Sequence, residues 1–495
     1  MLLNTLVTEL QYEVIQGTLN REVQSIAYDS REVTNNGVFI AISGFMQDGH
    51  RYIEDSIKSG ATVIIVEKDV TINASDDVTI LKVNDSREAL AIISANFYEH
   101  PGNNLRLIGI TGTNGKTSTT YLLKSIFEQA HHSLALIGTN GTIINNEKVK
   151  NKTTTPESLE LQQLLSEMNR QDISTCMMEV SSHALELSRV RGLNYDIGIF
   201  MNLTPDHLEM HKTMEAYFQA KAKLFNLTNR FNIINIDDPY GQRLVKMLED
   251  KEAKTVTFGM HENADIYPTD IEYAFDHTSF TVHTPAESAR ITVNIPGKIY
   301  LYNSLATIAT AICSDIPMDI IQKGFSQVEN IKGRLEFVYN SADLKVVIDF
   351  AHTEDALKNA LDILRPFVKG RLILVFGVYA DMSKSGEEKR LGMGKVAANN
   401  ADFSVVTSDN PKLNDAEQIL KEISEAVESN NGRYTSIMDR EEAINYAVNI
   451  AEKDDVILIA GKGHETTQII GTEEIPFNEK EIALKAINKK LEVKN

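Results

Sequence analysis

The stretch Leu107-Ile108-Gly109-Ile110-Thr111-Gly112-Thr113-Asn114-Gly115-Lys116-Thr117 decides the fold. An apolar run empties into a glycine-rich turn, and a helical pattern begins at Lys116. Backbone N–H groups freed by Gly112 and Gly115 can point at phosphate oxygens, and the following helix adds its positive end. Lys116 supplies a cation and Thr117 a hydroxyl for Mg2+. The pattern predicts a nucleotide triphosphate site over Gly112, Thr113, Asn114, Gly115, Lys116, Thr117 and Ser118. Ile110 stands where the general G-x-x-x-x-G-K-T loop has its first glycine, so this loop is a variant.

With 495 residues the chain exceeds one ordinary core, and three domains are expected. Hydrophobic content of 42% and charged content of 24% fit a globular protein. No apolar run approaches a membrane span, and no leader pattern opens the chain. A cytoplasmic, monomeric protein without membrane insertion is expected. The net charge of −20 argues against a nucleic-acid partner. Anionic small molecules then require local basic pockets and metal ions. Cys176 and Cys313 are too few and too far apart for a disulfide framework, and both are expected in the core.

Upstream of the loop, Val38–Ile42 and Ala61–Val66 read as buried strands of a separate N-terminal domain, residues 1–101. Downstream, strands at Leu107–Gly112, Leu134–Ile137, Thr175–Val180, Asp196–Met201 and Asn232–Ile236 alternate with helical stretches. That alternation predicts a mostly parallel sheet covered on both faces, in a central domain of residues 102–332. Residues 264–296 read as a small antiparallel appendage. A further alternation at Lys345–Phe350, Arg371–Gly377, Asp402–Thr407 and Asp455–Gly461 predicts a third, open Rossmann-like α/β domain, residues 333–495.

Ligands gather at the carboxyl ends of such strands. Polar residues cluster at these ends. Met178-Glu179-Val180-Ser181-Ser182-His183 closes one strand, with Arg189 shortly after, and Asn202-Leu203-Thr204-Pro205-Asp206-His207-Leu208 closes another, with His211 behind. The hydroxyls of Thr153-Thr154-Thr155 are candidate caps of the next helix, and Ser182 or His183 could cap another. In the third domain, Asp409-Asn410-Pro411-Lys412 and Gly461-Lys462-Gly463-His464-Glu465 each follow a strand. A carboxylate and an asparagine facing one another across strand ends can bind an amine and a carboxylate.

The loop Thr111–Thr117 resembles that of the Mur ligase superfamily of ATP-dependent amide-forming enzymes. Glu179-Val180-Ser181-Ser182-His183-Ala184-Leu185, Asn202-Leu203-Thr204-x-Asp206-His207-Leu208 and Ala220-Lys221-x-x-Leu224-Phe225 resemble its MurE branch, which adds the third residue to UDP-MurNAc-L-Ala-D-Glu in peptidoglycan synthesis. The resemblance covers nearly the whole chain. It implies ATP and Mg2+, with Thr117, Glu179 and His207 as metal ligands, and Lys221 as a lysine carbamylated into a metal-binding carboxylate. Only a partly desolvated, initially neutral amine undergoes that change. Without the family, Lys221 reads as a solvated helix charge and Arg334 as a surface charge.

The same resemblance assigns Lys116, Lys221, His207 and Arg334 to catalysis, with Arg334 reaching the ATP phosphates across a domain boundary and domain closure expected. Asn303 would contact adenine and Asp349-Phe350-Ala351-His352 would border the nucleotide. Thr154, Thr155, Ser181 and Arg189 would contact the muramoyl dipeptide. The order Asp29-Ser30-Arg31, Gly37, Gly44, Asp48-Gly49-His50 resembles a uridine-nucleotide domain, placing Ser30 and His50 near a diphosphate or uracil. Asp409, Asn410, Lys412, Gly461 and Glu465 would hold the incoming free amino acid.

Three departures stand out. Gly297-Lys298-Ile299-Tyr300-Leu301-Tyr302-Asn303 keeps only the second asparagine of its motif. Lys412 replaces the arginine of Asp-Asn-Pro-Arg, keeping the charge and losing the bidentate fork. Gly377-Val378-Tyr379-Ala380-Asp381-Met382-Ser383 lacks another arginine. Lys412 favours a carboxylate over an amine, so meso-diaminopimelate leads and L-lysine follows. A folylpolyglutamate or poly-γ-glutamate type ligase, and a non-catalytic nucleotide-binding regulator, remain as alternatives.

Overall fold

In the N-terminal region, apolar residues along Gly37–Ile40 and Ala61–Val66 alternate between two buried faces, and each face has its own core. The structure, a computed structural model, describes residues 1–44, 47–70, 77–341, 344–378 and 381–494. Tyr379 and Ala380 of the glycine-377 motif lie outside the described residues. Packing divides the chain into two units, Met1–Gly259 with Ile308–Ile316, and Met260–Thr307 with Pro317–Asn495.

The first unit begins with strands β1 (Tyr12–Gln16), β2 (Ser25–Ala27), β3 (Gly37–Ile40), β4 (Ala61–Val66) and β5 (Thr79–Val83), in the order β1-β5-β4-β3-β2. Only β1 runs antiparallel to its neighbour. Val38, Ile40, Val63 and Ile65 face one core with Leu90 and Ile93, while Phe39, Ile64 and Val66 face another with Ile53. Burial on both faces is what makes these strands continuous apolar runs.

The second sheet of this unit has strands β6 (Arg106–Thr111), β7 (Leu134–Gly138), β8 (Gly141–Ile144), β9 (Glu147–Val149), β10 (Thr175–Glu179), β11 (Tyr195–Phe200), β12 (Thr228–Asn235) and β13 (Lys254–Phe258). Their order is β13-β12-β11-β6-β10-β7-β8-β9. The five expected strands are present and parallel. The antiparallel β8–β9 hairpin at one edge was not expected, because Asn145-Asn146 and the exposed Glu147–Val149 carry turn and surface signals. Register places Glu179 opposite Ile110 and Phe200 opposite Thr111, so the ends of β10, β6 and β11 are level. That alignment brings three polar loops to one edge.

The second unit contains an antiparallel sheet of β14 (Tyr267–Tyr273), β15 (Thr278–His283) and β16 (Ser288–Val293), the expected appendage. Its larger sheet has β17 (Glu336–Asn340), β18 (Leu344–Asp349), β19 (Leu372–Phe376), β20 (Phe403–Val406), β21 (Tyr434–Ser436) and β22 (Asp455–Ala460), in the order β17-β18-β22-β19-β20-β21. All but β17 are parallel. All six residues of β22 are buried, with Ile457 and Ile459 packing against Ala443, Ile444 and Ile487. A hairpin of β23 (Thr467–Ile470) and β24 (Glu473–Pro476) follows. Among the described residues, no helix is long and apolar enough to cross a membrane. Cys176 is buried as expected, whereas Cys313 is only half-buried.

Candidate functional site

In the first unit the glycine loop leaves β6 and enters the Lys116–Gln129 helix at Gly115. Gly112 has φ +149°, and a Cβ there would lie 2.8 Å from Met201 Cβ, so only glycine fits. Asn202, just beyond β11, braces the loop. Its Oδ1 accepts from Asn114 N–H at 2.9 Å, its Nδ2 donates to the Asn114 carbonyl at 3.2 Å, and its own carbonyl accepts from Thr113 N–H at 3.0 Å. Lys116 Nζ donates to the carbonyls of Gly112 (2.8 Å) and Thr113 (3.0 Å). Thr117 and Ser118 are buried at the start of the helix.

Lys221 is not a solvated charge. It is 1% exposed, donates to the same Gly112 carbonyl at 2.9 Å, and lies 4.6 Å from the centre of the Tyr217 ring. Burial, reinforced by the Lys116 cation, pushes its amine well below the ordinary lysine value. That shift favours the neutral amine, the form that reacts with carbon dioxide.

Glu179 ends β10 at 1% exposure. Its two oxygens accept from Thr139, from the N–H at 3.1 Å and from the hydroxyl at 3.0 Å. Thr139 was absent from the sequence reading, although its place just past the end of β7 was a signal. Thr154 hydroxyl lies 3.2 Å from that of Thr139. Thr155 hydroxyl donates to the Glu179 carbonyl at 2.7 Å and accepts from Ser181 N–H at 3.1 Å. None of these threonines caps the next helix; Glu157 does, accepting from Ser158 N–H. Ser181, rather than Ser182 or His183, caps the Ser182–Glu186 helix through Ala184 N–H at 3.1 Å.

Arg189 donates to the Thr153 hydroxyl at 3.2 Å and the Thr155 carbonyl at 3.0 Å, and pairs with Glu157 at 3.3 Å. Near it opens a cavity of about 440 Å³ whose lining includes Tyr28, Lys150, Lys152, Thr153, Glu160 and Arg189.

His207 sits at φ +53°, a left-handed conformation uncommon outside glycine. The structure groups it with His183 and Glu209, whose ligand atoms all lie within 4.8 Å of one another. Burial, with the nearby His207 and His211 rings, lowers His183 to about 4, so its imidazole is neutral. Thr117 and Glu179 offer the hard oxygen donors that suit Mg2+, and carbamylation would convert Lys221 from a repelling cation into another.

His50 Nδ1 lies 2.7 Å from Asp48 Oδ1, and Nε2 accepts from Glu67 N–H at 3.2 Å. Both ring nitrogens thus have partners within the N-terminal region. Ser30 begins a short turn capped by Asp29, whose carboxyl is held at about 2 by its bidentate pairing with Arg31.

In the second unit, Asn303 is 1% exposed and its Nδ2 has no hydrogen-bond partner. An orphaned buried donor suits a ligand acceptor such as an adenine nitrogen. Arg334 is no free surface charge, since it lies over the Phe350 ring at 4.9 Å. Asp349 is buried with both oxygens taken, one by Leu335 N–H (2.7 Å) and one by Ala351 N–H (2.8 Å). It holds the Arg334 turn onto the end of β18. Gly461 N–H donates to the Asp349 carbonyl at 3.1 Å.

Asn410 Nδ2 donates to Glu465 Oε2 at 3.0 Å, so the two amino-acid motifs meet. Asp409 is buried beside Arg440 and Lys462, and burial raises its carboxyl. Lys412 is exposed, with φ +52°, and its backbone bridges to β23 through Ile469 and Gly471.

Three family models match in this order: Mur ligase family, catalytic domain over residues 22–98, Mur ligase middle domain over 110–311, and Mur ligase, glutamate ligase domain over 333–463. A curated relative from Alkaliphilus metalliredigens is 42% identical across 97% of this chain and 96% of its own length. The chain belongs to the Mur ligase family. That relative is named UDP-N-acetylmuramoyl-L-alanyl-D-glutamate--2,6-diaminopimelate ligase. A Mur ligase of the same name from Clostridium perfringens is 43% identical over 97% of this chain and 98% of its own. A solved structure of an enzyme of that name superposes with TM-score 0.67 at 27% identity, covering 95% of each chain. As a Mur ligase the chain is an ATP-dependent amide-forming enzyme, and the regulator alternative falls.

Proposed function

We propose that this Mur ligase joins meso-diaminopimelate to the D-glutamyl carboxylate of UDP-MurNAc-L-Ala-D-Glu, in the cytoplasm and as a monomer, for peptidoglycan synthesis. The relatives named for this reaction match it nearly end to end. The observation that carries the chemistry is the pairing of Lys116 and the buried Lys221 on one carbonyl of the glycine loop. A phosphate-binding cation thereby lies beside an amine poised for carbamylation.

In this reading the γ-carboxylate takes the ATP γ-phosphoryl group as an acyl phosphate, and the amino acid's amine displaces phosphate to form the amide. Thr117, Glu179 and His207, with Lys221 once carbamylated, would hold Mg2+, which would supply charge neutralisation for the phosphates. Lys116 then exchanges its loop carbonyls for phosphate oxygens, and loop N–H groups fix the chain's orientation. Thr154, Thr155, Ser181 and Arg189 position the dipeptide carboxylate, while Ser30 serves the uridine diphosphate. Asn303, Arg334 and Asp349 serve a nucleotide, Asp349 by holding the turn that carries Arg334. The boundaries 1–101, 102–332 and 333–495 belong to the same proposal.

Lys412 attracts the distal carboxylate of diaminopimelate as a point charge, where an arginine would grip it bidentately. The test is phosphate release by the purified protein with ATP, Mg2+ and UDP-MurNAc-L-Ala-D-Glu, offering meso-diaminopimelate, L-lysine, L-ornithine or no amino acid. Turnover with meso-diaminopimelate is expected. Preference for L-lysine would reassign the amino acid, and no turnover with any would overturn the reading.

A further inference from the structure

The second unit buries a lysine that none of these roles uses. Lys462 follows β22 at 0% exposure. Its ammonium donates to Asn410 Oδ1 at 3.0 Å and to Glu465 Oε2 at 2.7 Å, and lies 3.8 Å from Asp409 Oδ1. These contacts leave the Asn410 amide one orientation. Oδ1 accepts from Lys462 and from Ile469 N–H (3.0 Å), while Nδ2 donates to Glu465. Glu465 Oε2 is thus taken twice, and its side chain remains 33% exposed.

Behind this pair, Arg440 is buried against Glu479 at 2.7 Å. It donates to the carbonyls of Ser408 (3.2 Å) and Ala460 (2.8 Å), the residues just before the two motifs. The backbones are therefore fixed by one buried cation and the side chains by another. Of the three acids in this cluster Asp409 and Glu479 are buried, and Glu465 is the one open enough to meet a ligand.

We propose that Lys462 is a positioning residue, which aligns the Asn410 amide and the Glu465 carboxylate for an ammonium group of the incoming amino acid. This rests on the amino-acid reading of the two motifs. Lys462 touches the residues that touch the substrate, and acts through them.

The experiment measures KM for meso-diaminopimelate, ATP and UDP-MurNAc-L-Ala-D-Glu in the full-length wild type, Lys462→Met and Lys462→Arg, with thermal midpoints alongside. Lys462→Met is expected to raise KM for the amino acid at least about tenfold while the other two KM values stay within about twofold. Lys462→Arg, which keeps the charge, is expected to recover part of that loss, and it carries the test if the methionine variant does not fold. A fall in kcat with all three KM values unchanged would overturn the inference, because a merely structural role moves them so. Wild-type turnover with an unaltered amino-acid KM in the variants would overturn it alone. Absence of wild-type turnover with every amino acid would overturn the functional reading and this inference together.

Discussion

A Cβ placed on Gly138 would lie 2.3 Å from Glu179 Oε1 and 2.8 Å from its Cδ. Gly138→Ala must therefore push the carboxylate off Thr139, while the flexible end of a side chain absorbs the clash. A loss of kcat/KM of about tenfold or more is expected, with a thermal midpoint close to wild type; a large drop in midpoint with catalysis preserved in the folded fraction would refute it. At Lys221 the sign of a pH effect follows from burial. The folded chain holds this amine well below 10.5, whereas the unfolded chain does not. Between those values the unfolded state binds more protons, so stability rises with pH across the window and falls as pH drops toward the folded value. In bicarbonate-free buffer, Lys221→Met should exceed wild type in urea midpoint near about pH 7, and the gap should narrow by about pH 9.5. A constant gap would show that the lysine is not held neutral.

The strands of the two large sheets were legible because parallel, doubly covered strands are near-continuous apolar runs, as in Ile108–Ile110 and Asp455–Ala460. The β8–β9 hairpin was not, since its outer strand is wholly exposed and carries no apolar pattern. Position at a strand end singled out Glu179 and His207 in the sequence, and Glu179 does close β10. Lys221 was singled out by the family resemblance alone and Arg440 not at all, because each lies in a helix whose polarity pattern does not distinguish a buried cation from a solvated one. The sequence did not show that the His50 ring meets Asp48 and the Glu67 N–H. The strand β22 lies between β18 and β19 at the centre of its sheet, and Ile457 is 0% exposed there. Ile457→Ala should cost about 2–5 kcal/mol, read as a lower urea midpoint at unchanged slope. A loss below about 0.5 kcal/mol would mean that the strand is not packed as described.

The whole chain carries a net charge of −20, yet its proposed substrates, ATP and a uridine-diphosphate sugar peptide, are themselves anions. Two electrostatic effects oppose each other. The distributed negative charge, with Glu32, Glu157 and Glu160 in the lining of the 440 Å³ cavity, repels both substrates, and Lys150, Lys152 and Arg189 in the same lining attract at short range. Salt separates them, because the screening length shrinks from about 30 Å at about 0.01 M ionic strength to about 8 Å at about 0.15 M. Repulsion summed over the molecule is lost first, while partly buried pairs persist. At fixed free Mg2+, kcat/KM for the UDP-linked substrate should therefore rise over that range before falling at higher salt. A monotonic fall from the lowest salt would show instead that the basic residues at the cavity steer the substrate despite the overall charge. Neutralising Lys150 and Lys152 together should then remove the fall, which makes the two field components separately measurable.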